Sequence, residues 1–126
     1  MPLVTITMLE GKGPAHARAV AEAVHEALVS QANVPADDQF AIIHELPADR
    51  LIAHPSYGGV TRSRDLVIVE ITLNAGRTVE VKKNLYARMA ENLQSAAGVR
   101  ADDLLVSLVE VTKENWSFGK GLATYA

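Results

Sequence analysis

The sequence repeats itself at an offset of 65 residues, and this repeat constrains the fold more than any other feature. The segment NVPADDQFAIIHEL at 33–46 aligns with GVRADDLLVSLVEV at 98–111. Identical residues stand at these paired positions: Val34 and Val99, Ala36 and Ala101, Asp37 and Asp102, Asp38 and Asp103, Glu45 and Glu110. Two copies of one structural unit, joined head to tail, are therefore expected.

Each copy contains two runs of residues with the composition of β-strands. The first runs, at 3–9 and 66–73, are rich in Val, Ile, Leu and Thr and lead into a glycine turn. The second runs, at 39–46 and 104–111, follow or overlap the matched Asp segments. Four strands, two in each copy, are therefore predicted.

A helical pattern of apolar residues separates the two strands of each copy. Pro14 suits the first turn of the first helix, while Thr78 and Gly98 are the expected N-cap and stop of the second. A strand, a helix and a strand within about 45 residues form a β-α-β unit with parallel strands. Two such units in tandem predict an α+β fold, with a four-stranded mixed sheet and both helices on one face.

The chain of 126 residues, 1–126, is expected to form a single domain. The two copies of the repeat occupy 1–46 and 66–111. The connecting segment at 47–65 carries two prolines and a Gly-Gly pair, and the tail at 112–126 contains further glycines. Both of these segments are therefore predicted to be irregular.

The strands are apolar at successive positions, as in LVIV at 66–69 and LLVSLV at 104–109. Such runs are typical of strands buried on both faces, whereas a single helix layer covers only one face of a sheet. The second face is therefore expected to pack against copies of the same chain in a homo-oligomer.

Charge and composition exclude several classes of partner. The formal net charge is −3 and the basic residues are dispersed, which does not suit a nucleic-acid-binding surface. No apolar run reaches the roughly 18 residues that span a bilayer, so a membrane partner is not expected. The absence of cysteine is compatible with a reducing compartment, and the expected location is the cytoplasm.

Metal and cofactor sites are not predicted. His16 and His25 are nine residues apart on one helix and lie on opposite faces, so they do not share a metal ion. His44, on a strand, is expected to pack or to form hydrogen bonds. No glycine-rich loop of the P-loop or dinucleotide-binding type follows a strand and opens a helix.

Charged residues recur at equivalent turns of the two copies. Asp37 and Asp38 precede the second strand of the first copy, where turn and capping roles are expected of them. Arg77 follows the strand at 66–73, at the end of a β-α unit where open sheets usually bind ligands, and its repeat mate is Lys12. Each cation alone is also compatible with a solvated surface charge.

Pro2 stands directly before the first strand, and removal of Met1 would expose its nitrogen as a secondary amine. An N-terminal amine can act as a general base. Apolar walls and a neighbouring cation lower the pKa of such an amine, and Arg77 would supply that cation and also bind a carboxylate. If Met1 is retained, the nitrogen is an amide without basic character, and Pro2 only begins a strand.

Four segments together resemble the tautomerase superfamily, specifically its malonate semialdehyde decarboxylase-like branch. They are MPLV at 1–4, VPADDQF at 34–40, the pattern GRT-E-K--LY at 76–86 and WSFGKG at 116–121. This resemblance covers nearly the whole chain and implies a doubled β-α-β fold that assembles as a trimer. It also implies an amino-terminal proline as the catalytic base or acid.

The resemblance implies roles for three residues of this sequence. Pro2 aligns with the catalytic proline, and Asp38 aligns with the aspartate that orients water or substrate. Arg77 aligns with one of two arginines that bind the substrate carboxylate. The place of the second arginine falls at about Asn74 in this chain, so one of the two cations that would bind the carboxylate in decarboxylation of malonate semialdehyde is missing.

Trp116 and Phe118 match the tail motif of the family and are expected to wall the substrate pocket, although core or subunit packing would explain them equally well. The predicted function is a cofactor-independent enol-keto tautomerase of a small 2-oxo acid or its enol, with Pro2 as general base. The enzymatic alternative is a hydratase or decarboxylase of small 3-oxo or unsaturated acids with a cationic proline. The non-enzymatic alternative is a trimeric α+β binding or structural protein.

Overall fold

A computed structural model describes residues 1–125 and contains four strands and two long helices. The strands are β1 (Leu3–Leu9), β2 (Ala41–Leu46), β3 (Val67–Asn74) and β4 (Leu104–Val111). The helices are α1 (Pro14–Gln31) and α2 (Val79–Ala97). The order of these elements confirms two consecutive β-α-β units, with β2 beginning two residues later and β3 one residue later than predicted.

The strands form one mixed sheet in the order β2-β1-β3-β4. Each β-α-β unit contributes a parallel pair, and the two central strands β1 and β3 run antiparallel. Leu3 pairs with Thr72, so β1 begins where β3 ends. This register brings the start of the chain to the same end of the sheet as the loop that follows β3.

The helix boundaries follow from local chemistry that the sequence displays. Pro14 occupies the first turn of α1, where its missing N–H costs no hydrogen bond. The Thr78 hydroxyl accepts a hydrogen bond from the Val81 N–H at 3.2 Å and caps α2. Gly98 ends α2 in the left-handed conformation with φ 66°, which a glycine adopts without steric cost. The predicted caps of the second helix are confirmed.

The core lies between one face of the sheet and the two helices. Alternate residues of β1 and β3 point into it, as the strand period of two requires. Its largest buried side chains are Ile6, Val20, Val24, Leu28, Val67, Val69, Ile71, Leu73, Leu85, Met89, Leu93 and Val99. Both helices therefore cover the same face of the sheet, as predicted.

The opposite face of the sheet is uncovered in the single chain. Ile42 on β2 and Val109 on β4 are each 47% exposed, and Leu3 and Leu105 are also exposed. The register places these side chains on the face away from the helices. Burial of both faces, which the apolar runs suggested, is therefore not reached within one protomer.

The connecting segment after β2 contains one short 3₁₀ turn, Ala48–Arg50. Arg62 closes the following loop by donating from Nη1 to the carbonyl oxygens of His54 and Tyr57, at 3.2 and 2.6 Å. Apart from that turn, residues 47–65 form no helix or strand.

Among residues 1–125, neither α1 nor α2 has the length and apolar character of a membrane-spanning helix.

A charged cluster joins the two helices on their outer side. Arg88 of α2 donates from Nε and Nη2 to the two carboxylate oxygens of Glu26 on α1, at 2.7 and 2.9 Å. Asn92 adds a hydrogen bond of 2.8 Å to the same carboxylate. The Arg88 and Asn92 hydrogen bonds lower the pKa of Glu26 below its ordinary value of 4.5.

We expect Glu26→Gln to lower the free energy of unfolding by about 0.5–1 kcal/mol at neutral pH, because the pair is exposed and screened by solvent. The folded-state pKa of Glu26 lies below the unfolded value, so its contribution is complete above the unfolded pKa and disappears as pH falls through the folded one. Urea titrations should therefore show a difference at neutral pH that shrinks in acid. An equal difference at both pH values would contradict this ion pair.

Candidate active site

A groove of about 520 Å³ opens at the end of the sheet where β1 begins. Its walls come from the start of the chain, the turn before β2 and the tail that follows β4. The lining residues are Met1, Leu3, Asp37, Asp38, Phe40, Trp116, Ser117, Phe118 and Tyr125. Two carboxylates and several aromatic rings therefore share one concave surface, as small-molecule sites commonly do.

The start of the chain lies in this groove. The Met1 ammonium nitrogen is 3.4 Å from Oδ2 of Asp38, and the Met1 side chain is only 13% exposed. Pro2 is buried and lines, together with Asp38, a narrow cleft that adjoins the groove. Loss of Met1 would vacate space in the groove and leave the Pro2 nitrogen as the terminal amine beside Asp38.

The turn VPADD positions Asp38 against β1. The Asp38 N–H donates to the Pro35 carbonyl oxygen at 3.0 Å, which closes the turn before the chain enters β2. Phe40 then accepts a hydrogen bond of 3.0 Å from the Val4 N–H of β1. The Asp38 backbone thus has the predicted turn role, while its carboxylate faces the start of the chain.

Arg77 lies at the same end of the sheet but does not line the groove. Its Nε and Nη2 donate to the Ala32 carbonyl oxygen at the end of α1, at 3.0 and 2.9 Å. Its Nη1 donates to the Asn74 carbonyl oxygen at 3.2 Å. Three of its five N–H groups therefore have protein acceptors within residues 1–125. These acceptors belong to Ala32 and Asn74, and the charged partner of Asp38 is the Met1 nitrogen.

A second charge pair stands next to Arg77. The Lys82 ammonium lies 2.7 Å from Oε1 of Glu110 on β4. This hydrogen bond is the main cause that lowers the pKa of Glu110, with a smaller contribution from the charge of Arg77. Glu110 is therefore ionised at neutral pH, and its negative charge lies close to the positive charges of Lys82 and Arg77.

The tail forms the aromatic wall of the groove. Trp116 donates from Nε1 to Oδ1 of Asn74 at 2.8 Å. The Trp116 and Phe118 rings are 5.9 Å apart, and Tyr125 meets Phe118 edge-on at 5.0 Å. The structure therefore brings Pro2, Asp38, Trp116 and Phe118 to one site.

Three residues at this site received no site role from the sequence. Phe40 stands inside the matched motif VPADDQF, which could have drawn attention to it. The sequence marks Asn74 only as the place of an absent arginine. Tyr125 gives no signal, because its position in the wall depends on how the tail folds back.

The equivalent end of the second copy is closed. Val67 takes the place of Pro2 at the repeat offset and has no terminal amine. Asp103, the mate of Asp38, is completely buried, and its carboxylate accepts hydrogen bonds from the N–H and hydroxyl of Ser63, both at 2.6 Å. Ser63 of the connecting segment is thus the partner of Asp103, whereas the Met1 nitrogen is the partner of Asp38 in the first copy.

A cavity of about 190 Å³ remains near that closed end. Lys12, the mate of Arg77, lines it but is paired with Asp65 at 2.9 Å. No group of three or more His, Asp or Glu side chains within residues 1–125 is arranged to hold a metal ion. The groove at Pro2, where two carboxylates and the aromatic rings of the tail share one surface, is the candidate active site.

Comparison with known proteins agrees with this geometry. Two protein-family models, each described as "Tautomerase enzyme", match residues 38–119 and 2–60. The chain is 33% identical to the probable tautomerase YusQ of Bacillus subtilis (strain 168) over 123 residues, which cover 98% of this chain and 97% of YusQ.

Solved structures show the same architecture. The crystal structure of FG41 malonate semialdehyde decarboxylase inhibited by 3-bromopropiolate matches with a TM-score of 0.90 at 35% identity, covering 98% of this chain and 93% of that one. A fused 4-OT solved as a symmetric trimer matches with a TM-score of 0.79 at 27% identity, covering 98% and 97% of the two chains. The matches span both copies of the repeat, and they show that this chain belongs to the tautomerase family of enzymes.

Proposed function

We propose that this protein is an enol-keto tautomerase that acts on a small 2-oxo acid or its enol, with the amino-terminal nitrogen of Pro2 as general base. The observation that carries this proposal is the position of the chain start: Met1 lines the groove with its nitrogen 3.4 Å from Asp38, and Pro2 lines the adjoining cleft. Removal of Met1 converts that groove into a pocket with an amine in its wall.

The reaction needs only a proton carrier. The Pro2 nitrogen accepts the proton of the enol hydroxyl, and the electrons of that O–H bond form the C=O bond. The C=C electrons then form a C–H bond at the adjacent carbon with the proton that Pro2 returns. The product is an isomer of the substrate, so no electrons or groups come from outside. Asp38 orients a water molecule or a polar end of the substrate.

Arg77 lies at the same end of the sheet as the groove but outside its lining in the single chain, and it is proposed to bind a substrate carboxylate that extends beyond the groove toward Asn74. Two of its five N–H groups have no protein acceptor within residues 1–125, and these can donate to an anion. Its other three hydrogen bonds fix the guanidinium at the end of the sheet. The same charge stabilises the oxygen that becomes negative as the enol loses its proton.

The groove supports a substrate with one carboxylate and an apolar or aromatic remainder. Asn74 stands where a second cation is implied, and the side chains of Trp116 and Phe118 offer aromatic surface. Trp116 and Phe118 are therefore proposed as substrate-binding residues. The enol of an aryl 2-oxo acid such as phenylpyruvate is a suitable first assay substrate.

The active form is proposed to be a homo-oligomer, specifically a trimer. The uncovered face of the sheet carries the exposed apolar side chains of Ile42, Leu105 and Val109. Contiguous apolar surface of this kind is typical of a face that packs against another protein chain. The fused 4-OT that matches this chain was solved as a symmetric trimer, which supports the same assembly here.

Intact mass spectrometry of the untagged protein tests the requirement on which the proposal depends. We expect a mass short by one methionine residue, since a retained Met1 leaves the Pro2 nitrogen as an amide. Edman sequencing of the same sample should begin at Pro2. A full-length mass in a preparation that still isomerises enols would contradict the role of Pro2.

A hydratase or decarboxylase of small 3-oxo or unsaturated acids is the second candidate. The similarity to FG41 malonate semialdehyde decarboxylase favours it, because that enzyme matches nearly the whole chain at a TM-score of 0.90. In this reaction the Pro2 amine is protonated and polarises the substrate or activates water. A Pro2 amine that is neutral at the assay pH supports the tautomerase, and a protonated one supports this alternative.

A further inference from the structure

Asn74 makes two contacts that meet at the candidate active site. As the last residue of β3, it pairs with Val111 of β4 and is held firmly by the sheet. Its Oδ1 accepts the Trp116 indole N–H at 2.8 Å, and its carbonyl oxygen accepts Arg77 Nη1 at 3.2 Å. One residue therefore joins the aromatic wall of the groove to the proposed carboxylate-binding arginine.

The hydrogen bond from Trp116 also joins the tail, residues 112–125, to β3. Within residues 1–125, the other hydrogen bonds made by residues 112–125 stay inside that segment, such as Phe118 N–H to Thr124 Oγ1 at 3.0 Å. Most side chains of the tail are exposed, so little burial holds it in place. The position of the wall therefore depends strongly on one side-chain contact.

The chemistry of this contact is specific to an acceptor at position 74. The indole N–H is a donor only, so it requires an oxygen, and the Asn74 amide supplies Oδ1. A partly buried indole N–H that loses its acceptor is destabilised in that position by roughly 1–3 kcal/mol. Because Phe118 packs on Trp116, and Tyr125 packs on Phe118, release of Trp116 would loosen all three rings.

We propose that Asn74 is a positioning residue. Its hydrogen bond to the Trp116 indole, called the latch below, sets the width and substrate preference of the groove. This inference rests on the proposed function of the groove, but the latch itself is a property of the free protein. When this hydrogen bond is formed, Trp116 and Phe118 stay in the wall of the groove and contact the apolar part of a substrate. With the latch open, small acids lose little binding and aryl acids lose more.

Tryptophan fluorescence tests the latch without any assay of activity. Trp116 is the only tryptophan, so its emission reports on the tail alone. Asn74→Ala should shift the emission to longer wavelength and increase quenching by acrylamide, because the indole becomes exposed. Asn74→Asp should retain the wild-type emission, since a carboxylate oxygen replaces Oδ1. Asn84→Ala, on the exposed side of α2, is the matched control and should change nothing.

Steady-state kinetics with an aryl and a small 2-oxo acid test the effect on preference. Asn74→Ala should raise KM for the aryl substrate by about 3- to 10-fold, the equivalent of one lost hydrogen bond, and change kcat and the small substrate much less. Asn74→Asp should raise KM for both acids, because its negative charge repels their carboxylates.

Two results would overturn the inference. Wild-type emission and quenching in Asn74→Ala would show that Asn74 does not hold Trp116. An equal loss of activity with both substrates in Asn74→Ala, even with a shifted emission, would show that the contact does not set substrate preference. If the wild-type protein turns over neither substrate, the proposed function fails while the fluorescence measurement still decides the latch.

Discussion

Replacing Pro2 with alanine is expected to lower kcat/KM for enol isomerisation by about 10²- to 10⁴-fold, the range that a single general base contributes. After removal of Met1 the variant still has a terminal amine, but the amine is primary and more strongly hydrated. The side chain of alanine also fills less of the cleft that Pro2 lines, so the nitrogen is less firmly directed. Ketonisation of an aryl enol, followed by absorbance, measures this loss.

Pro14→Ala is the matched control, because it makes the same substitution at the first turn of α1, away from the groove. This control should retain activity within a few-fold of the wild type. Thermal unfolding of both variants separates loss of a base from loss of the fold, and intact mass verifies that Met1 is removed from each. Equal activity of the two variants would remove Pro2 from the mechanism.

The second large effect is expected at Arg77. Arg77→Ala should lower kcat/KM for carboxylate substrates by roughly 10- to 100-fold, mainly through KM, since hydrogen bonds to charged groups contribute about 1.5–3 kcal/mol. The variant should also unfold at a lower temperature, because the carbonyl oxygens of Ala32 and Asn74 lose a donor. Kinetics and unfolding are therefore measured on the same preparations.

Comparison of an acid with its methyl ester separates the two contributions of Arg77. The wild type should prefer the acid, and Arg77→Ala should lose that preference, because only the carboxylate pairs with the guanidinium. Arg77→Lys should keep part of the preference through its charge. Lys12→Ala removes the repeat-mate cation, which is paired with Asp65, and should leave it intact. A preference for the acid that persists in Arg77→Ala would contradict carboxylate binding there.

The difference between the two ends of the repeat explains why one site is expected rather than two. At the first copy, Asp38 faces a chain start that processing can change. At the second copy, Ser63 of the connecting segment satisfies the buried Asp103. The repeat thus produces two similar sheet ends, and the segment that connects the two copies covers the one at Asp103.

The fold was predictable because its signals are local. Thr78 and Gly98 define α2 through side-chain capping and a left-handed backbone, both of which depend on residues within one helical turn. The repeat then transfers the same topology to both halves. The late start of β2 at Ala41 has a local cause as well, because Asp38 closes a turn with Pro35.

The site was predictable only where a motif identified it. Pro2, Asp38, Trp116 and Phe118 came from matched segments, and all four line the groove or its adjoining cleft. The contacts of Arg77 were not predictable, because its main acceptor, Ala32, lies 45 residues away in sequence. The latch between Trp116 and Asn74 spans 42 residues and has no local signature either.

Nuclear magnetic resonance of the protein labelled with ¹⁵N-proline tests whether the Pro2 nitrogen is a free amine that can act as the general base. The chain has five prolines, and four of them should give pH-independent amide nitrogens in every case. We predict that the fifth nitrogen, from Pro2, resonates as an amine, titrates with pH, and is neutral at the pH where enols are isomerised. Five pH-independent amide nitrogens in an active preparation would exclude the Pro2 nitrogen as the general base.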